Sequence, residues 1–246
     1  MIGPRRNKAE SDAVTPGVSD AISIDIWSDI ACPWCYIGKR NLEKGLAQIA
    51  EDADAPQVTV TYHSYELSPD VPIDYEGTQV DYLTERKGMP ADQVAQMLER
   101  VTGIAEQAGL HYDMDSVQTT NTVKAHELLH FAKVKGVQHE MKEALMSAYF
   151  VEGRHVGRIA DLVELATSVG LDAEETREVL DSDRYLTQVR QDQAQARAYG
   201  ISGVPFFVID GQYGVSGAQP AETFANVLRD LWAKRGKTAE AEAPSA

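Results

Sequence analysis

The sequence predicts an α/β fold in which a small sheet-forming unit is interrupted, between its second and third strands, by a large all-helical insertion. Three observations carry this expectation. Strand-like patterning is confined to residues 21–27, 58–65 and 204–216, helical periodicity fills the stretch from about 78 to 200, and Cys32-Pro33-Trp34-Cys35 stands where the first strand pattern gives way to a helix.

Taken in order, Ala21-Ile22-Ser23-Ile24-Asp25-Ile26-Trp27 is apolar and β-branched with partial alternation, as in a strand mostly covered by other structure. From Pro33 onward the period changes. Trp34, Ile37, Leu42, Leu46 and Ile49 recur near helical spacing, and Pro33 suits a first helical position because its φ is preset and it has no N–H to satisfy. Cys32 then falls near the helix N-cap. Val58 to Tyr65 alternates and forms the second strand, ended by a loop with Pro69 and Pro72. In the long middle, one helix begins at Pro90 and ends near Gly109, and others cover about 121–136, 138–152, 158–169 and 183–199, with Gly136, Gly153, Gly170 and Gly200 near their ends. Strand signals return at Val204-Pro205-Phe206-Phe207-Val208-Ile209, and Asp210-Gly211 is a hairpin turn into Gln212 to Ser216. A last helix runs from about Pro220 to Lys234. The expected organisation is a first sheet part over 21–77, a helical insertion over 78–200 and a second sheet part over 201–236, with 1–20 and 237–246 as mobile tails that carry no chemistry.

Composition narrows the function. A chain of 246 residues with 43% apolar content can bury a substantial core. A formal charge of −15 argues against nucleic-acid partners, whose affinity depends on Lys and Arg displacing counterions, and the cluster Arg5, Arg6, Lys8 is too short to change that. No stretch approaches the roughly 20 apolar residues of a membrane span, so no membrane partner is expected. The opening residues lead into polar sequence without a hydrophobic signal region, which gives the expectation of a cytoplasmic location.

Cys32 and Cys35 are the only two cysteines. At a helix start, unpaired N–H groups and the positive end of the helix dipole favour an anion, so the Cys32 thiolate should form more easily than in a free cysteine. Cys35 follows on the same face, within bonding reach once the helix exists. The loop that such a bridge closes is too short to restrict the unfolded chain much, so the bridge suits cycling better than stapling, as does a reducing cytosol. The bland readings are two buried small residues or half of a zinc site, and no second C-x-x-C or C-x-x-H pair exists to complete the latter.

Strand, C-P-W-C helix, strand, helical block, then Gly203-Val204-Pro205 opening a hairpin and a final helix: this order resembles the thioredoxin-fold superfamily, and the inserted helices narrow it to the DsbA-like group. Trp27 to Gly38, Gly200 to Val208, and Gly217-Ala218-Gln219-Pro220 are similar to the FrnE-type cytoplasmic DsbA-like oxidoreductases over roughly residues 21–235. The resemblance implies a cis Pro205 opposite the dithiol, with the backbone of Val204 pairing with an extended substrate. It implies no cofactor beyond a redox-active Cys32–Cys35 disulfide. It also implies a disulfide or dithiol substrate, protein or small molecule, with a low-molecular-weight thiol or small redoxin as electron partner. Trp34 stands where DsbA itself has His, so that imidazolium is missing. Related 2-hydroxychromene-2-carboxylate isomerases and kappa-class glutathione transferases place Ser at the position of Cys32, which leaves a glutathione-like thiol-dependent isomerase or transferase as the alternative function, and a client-holding module as a third. Asp25 matches the neighbourhood of a carboxylate that assists the second cysteine in thioredoxins, which makes it a candidate proton acceptor from Cys35. Its bland reading is a solvent-facing acid. Among the aromatic residues, Trp34 is the one expected to be exposed for substrate contact, whereas Trp27, Tyr36, Phe206 and Phe207 read as packing.

A competing motif is His126-Glu127-Leu128-Leu129-His130, which matches the zinc-hydrolase pattern H-E-x-x-H. A third ligand would have to come from His139, His155, Glu143 or Glu152. The alternative is a buried stripe of Ala125, Leu128, Leu129 and Ala132 with the histidines at its margin on the helix surface.

Overall fold

The structure, a computed structural model, describes residues 21–242, with side chains described through residue 235. A four-stranded sheet is made of β1 (Ala21–Ser28), β2 (Gln57–Ser64), β3 (Phe206–Ile209) and β4 (Tyr213–Ser216), in the order β2-β1-β3-β4. β2 runs parallel to β1, while β3 and β4 are antiparallel to their neighbours. The connection from β3 to β4 has positive φ at both Asp210 (52°) and Gly211 (65°), and Gln212 N–H donates to the Ile209 carbonyl at 3.1 Å. A two-residue turn of that hand matches the strand twist, and Asp-Gly adopts it at little cost.

Period-two alternation sends Ile22, Ile24 and Ile26 to one face of β1, where they pack with Leu42 and Ile49 of α1 (Pro33–Ile49) and Phe224 and Leu228 of α9 (Ala221–Glu242). A Cβ on Gly45 would lie 2.7 Å from the Ala221 carbonyl oxygen, so the bare backbone lets α1 and α9 approach closely. The other face carries Trp27 and Val208 against Ala196 of α8 (Leu186–Ala198) and Ile201.

Between β2 and β3 lie α2 (Gln79–Lys87), α3 (Ala91–Ala108), α4 (Val123–Val134), α5 (Gln138–Phe150), α6 (Ile159–Ser168), α7 (Ala173–Asp181) and α8. Neither α2 nor α7 was resolved as a separate helix by periodicity, because nine residues hold little more than two turns. Their caps were nonetheless written in the sequence: Thr78 and Asp81 form a reciprocal capping box, and Asp172 accepts from Glu175 N–H. α9 continues to Glu242, past the expected end at Lys234 and into the segment read as a tail. Residues 1–20 and 243–246, the rest of the expected tails, lie outside the described residues.

The insertion does not have a separate core. Phe131, Met141, Leu145, Met146, Tyr149 and Phe150 pack in one cluster with Ile30, Cys32, Cys35, Tyr36 and Ile37. The insertion also covers the C-terminal end of β2, one of the two edge strands of the sheet. There the backbone groups are met by side chains, as Gln138 Nε2 donates to the Tyr62 carbonyl (2.9 Å), Tyr62 N–H donates to Gln138 Oε1 (3.0 Å) and Ser64 N–H donates to Asp192 Oδ2 (2.7 Å). An unpaired edge is a template for aggregation, and these bonds cover that part of it.

Candidate active site

Cys32 is the N-cap of α1, in extended conformation (φ −99°, ψ 111°), with Pro33 as first helical residue. Cys35 N–H donates to the Cys32 carbonyl at 3.0 Å, which tightens the first turn and brings the two side chains to one side. Both sulfurs are buried thiols at 3% and 2% exposure, so access to Cys32 is confined to one direction. That direction is set by the loop before β3. The Val204–Pro205 peptide bond is cis, and Cys32 Sγ–H donates to the Val204 carbonyl oxygen at 3.6 Å.

The approach of this loop depends on Gly38. A Cβ there would lie 2.9 Å from Pro205 Cγ and 3.3 Å from Phe207 Cζ. In an unobstructed helix, Gly→Ala gains about 1 kcal/mol. Here the contact reverses the sign. Gly38→Val is expected to destabilise the protein by about 2 kcal/mol through overpacking and to slow thiol exchange by moving Val204 away from Cys32. An unfolding midpoint at or above that of the unmodified protein would contradict it.

Cys32, Pro33 and Trp34 form one wall of a cavity of about 300 Å³ whose far wall is α2 and α3, through Leu83, Met97 and Leu98. Trp34 is 42% exposed at this surface. The cavity is predominantly apolar, with Arg86 and Lys87 among its lining residues.

Burial pushes the Cys35 thiol up, but the Cys32 S–H, the Lys142 ammonium, the Ser28 hydroxyl and the Asp29 backbone N–H outweigh it and hold Cys35 below the ordinary thiol range. Cys32 is pushed well above that range by sharing its proton with Cys35, by burial and by the charges of Cys35 and Asp29, against the opposing pull of the Cys35 N–H. The two sulfurs therefore share one negative charge, and the first proton leaves from the pair. This modifies the expectation that the helix start alone singles out Cys32 as thiolate.

Two charged groups at the site were not anticipated. Asp29 is buried, its Oδ1 accepting from Thr122 Oγ1 (2.9 Å) and bonded to His126 Nε2 (3.3 Å), its Oδ2 accepting from Leu67 N–H (2.8 Å). Burial would raise its carboxyl, yet these bonds and the His126 charge hold it below the usual carboxylate range. Lys142 of α5 is 1% exposed and its Nζ has no hydrogen-bond partner among the described residues. Burial brings it down to about 8, against the opposing pull of Cys35, Asp29 and Cys32. Lysine at a helical position ordinarily reads as solvated surface, so sequence offered no signal for it. Asp29 stood inside the quoted Trp27-to-Gly38 motif without being singled out.

A family model for the DSBA-like thioredoxin domain matches residues 23–229. The chain belongs to that family. A probable DsbA oxidoreductase from Streptomyces coelicolor is 38% identical to this DsbA-like chain and superposes with a TM-score of 0.79, over 92% of this chain and 93% of that one. The uncharacterized protein YwbO of Bacillus subtilis is 28% identical over 218 residues, 87% of this chain and 99% of its own length. The cytosolic disulfide reductase DsbM of Pseudomonas aeruginosa, also solved with GSH, shares the fold at 19% identity and a TM-score of 0.56, over 85% of this chain and 98% of its own.

In this DsbA-like domain Asp25 is turned away from the dithiol. Ile24 and Ile26 take the face of β1 that packs with α1, so Asp25 takes the opposite one, 34% exposed, with its Oδ1 2.7 Å from His63 Nε2. The groups that act on the Cys35 thiol are Cys32 and the Lys142 ammonium instead. A carboxylate one position along the strand would have reached the α1 face; a period of two makes that single step decisive.

The H-E-x-x-H residues diverge. His126 is fully buried, not at a helix surface, and turns to Asp29; His130 Nε2 lies 3.1 Å from Asp192 Oδ2; Glu127 Oε1 accepts from Lys124 Nζ at 2.9 Å and Glu127 Oε2 from Tyr185 N–H. The two imidazoles are thus committed to different carboxylates, and among the described residues no group of three or more His, Cys, Asp or Glu is arranged to hold a metal ion. The motif's residues tie α4 to the loop before α1 and to α8. Among the described residues, no helix is long and apolar enough to cross a membrane.

Proposed function

We propose that the protein is a cytoplasmic thiol–disulfide oxidoreductase of the FrnE type that works through a mixed disulfide on Cys32. The observation that carries this reading is the meeting of the dithiol turn with the Val204-Pro205 loop, where Cys32 Sγ lies 3.6 Å from the Val204 carbonyl and faces a cavity. An extended disulfide laid along Val204 would present a sulfur to Cys32 while its backbone pairs with the loop.

In the reductase direction, the Cys32 thiolate attacks one sulfur of the substrate disulfide, forming a Cys32–substrate disulfide and expelling the other sulfur as a thiolate. Cys35, as thiolate, then attacks Cys32 Sγ, closes the Cys32–Cys35 bridge and releases the second substrate thiolate. Two electrons have passed from the enzyme dithiol to the substrate. Two equivalents of a low-molecular-weight thiol, or one small dithiol redoxin, return them by the reverse exchange. A reducing cytosol favours this direction. No metal or nucleotide takes part.

Replacing Cys35 with Ser tests the reading. Exchange with a model disulfide should stop after the first step and leave a covalent Cys32 adduct, visible by mass spectrometry and released by dithiothreitol. A thiol-dependent isomerase using the same cleft would instead keep its turnover in Cys35→Ser and accumulate no adduct.

A further inference from the structure

The cavity beside Cys32 has more shape than access to a sulfur requires. Val71, Leu98 and Val101 form the buried apolar part of its lining, and Trp34 and Leu67, both 42% exposed, extend that surface outward. An apolar cavity of about 150 Å³ already takes a benzene ring. At about 300 Å³ this one has room for a ring with a short substituent, and it is too small for a folded loop.

One donor is set into the apolar surface. Gln79, the first residue of α2 and 9% exposed, lines the cavity; its Oε1 accepts from Thr119 Oγ1 at 3.1 Å, and no described residue accepts from its Nε2. A buried amide donor without an acceptor is costly, and on a cavity wall it fixes the orientation of a bound molecule through that molecule's oxygen. The charged groups of the lining do not ask for an ionic ligand there. Asp29 is occupied by Thr122, His126 and Leu67 N–H, and Arg86 by Asp70 and the Leu67 carbonyl. Lys87 is exposed and lies eight residues beyond Gln79 on α2, about 12 Å along the helix. A carboxylate brought to Gln79 would lose its water without gaining a cation, whereas an uncharged carbonyl would gain the amide N–H.

We propose that the cavity is a subsite for a low-molecular-weight, uncharged aromatic disulfide, its ring packed against Trp34, Leu83 and Met97 and a carbonyl on that ring accepting from Gln79 Nε2. The inference rests on the oxidoreductase reading and deepens it by naming the substrate class. The Cys32 thiolate attacks the sulfur that carries the enclosed ring, the bond between Cys32 Sγ and that sulfur forms, and the other half leaves as a thiolate with the electron pair. The Val204 loop, which does not line the cavity, is left for the departing half.

The test compares single-turnover rates of the reduced protein with bis(carbamoylphenyl), bis(carboxyphenyl), diphenyl and bis(hydroxyethyl) disulfides and with an unfolded disulfide-bonded protein. Each rate is divided by that of the same disulfide with dithiothreitol, which removes intrinsic reactivity. The carbamoyl compound should exceed its carboxyl counterpart and the hydroxyethyl compound by about tenfold or more, the scale set by one buried hydrogen bond or a few buried methylenes. Equal normalised rates across the series, or a preference for the carboxyl compound or for the protein disulfide, overturn the inference alone. Absence of exchange with every disulfide overturns the oxidoreductase reading and this inference with it. Two variants locate the preference. Gln79→Glu keeps the acceptor that Thr119 uses and replaces the amide NH₂ by an oxygen, so the carbamoyl-to-diphenyl rate ratio should fall about tenfold. Leu83→Trp fills the cavity, and the diphenyl-to-hydroxyethyl ratio should fall by a similar factor. Unchanged ratios in the folded variants overturn the assignment to this cavity, and the series on the unmodified protein decides the substrate class if either variant fails to fold.

Discussion

Cys32→Ser will abolish thiol–disulfide exchange, with a rate loss on the order of 10³-fold or more, the scale on which removal of a covalent nucleophile is felt. The reason is elementary: a serine hydroxyl at this position neither ionises near neutral pH nor can form the sulfur–sulfur bond on which the cycle depends. The fold will survive, which makes the test clean. Cys32 is the N-cap of α1 and its side chain makes no capping hydrogen bond, whereas Ser is among the preferred N-cap residues. Stability is therefore expected to stay within about 1 kcal/mol of the unmodified protein or to rise slightly. Stopped-flow mixing with a chromogenic disulfide and an unfolding midpoint decide both halves. Exchange within tenfold of the unmodified rate would remove Cys32 from the chemistry.

The largest effect on stability is expected at Asp192. Its carboxylate lies within 2.9 Å of His63 Nδ1 and 3.1 Å of His130 Nε2 and accepts from Ser64 N–H, while its own carbonyl accepts from Trp27 Nε1 at 2.9 Å. Trp27 in turn stacks on His63 with ring centroids 4.6 Å apart. One side chain thus joins α8, the end of β2 and α4. Asp192→Ala leaves His63, His130 and the Ser64 N–H without their shared acceptor, and a loss of about 3 kcal/mol is expected, the low end for breaking a buried ion pair.

The loss should depend on pH in a definite way. Burial would raise the Asp192 carboxyl, but His130, His63 and the Ser64 N–H outweigh it and hold it far below the carboxylate range. Its contribution is therefore complete above the ordinary value of 3.8 and fades as pH falls from there toward its folded value. Burial would push His63 down, but its bonds to Asp192 and Asp25 raise it above 6.5. That contribution is complete below 6.5 and fades as pH rises through the folded value. The difference between the two proteins should peak between those limits, near pH 5, and shrink toward pH 9. Urea unfolding at both pH values checks it. A pH-independent loss below about 1 kcal/mol would show that the cluster is surface charge of the ordinary kind.

The fold was largely legible because its signals are local. The isoleucine alternation of β1, Pro33 after an N-cap, and Asp210-Gly211 between two short strands each act within a few residues, where backbone geometry is settled by neighbours in sequence. The dithiol was legible for the same reason. What escaped is non-local. Asp25 was placed beside Cys35 from its neighbourhood in sequence, but which face of β1 meets α1 is settled by packing over the whole sheet, and the isoleucines won that face. The H-E-x-x-H pattern has zinc-site spacing, yet spacing does not say whether two imidazoles converge on one ion or turn to Asp29 and Asp192.

By itself, then, the sequence determined that two sulfurs stand at a helix start behind a strand and that an all-helical block divides the sheet, since short-range sterics and periodicity suffice for both. Only the tertiary structure decided what surrounds those sulfurs. Lys142 and Asp29 become site residues because the insertion and the sheet share one core, and enclosure away from water is what turns an ordinary lysine and an ordinary aspartate into groups that tune a thiol.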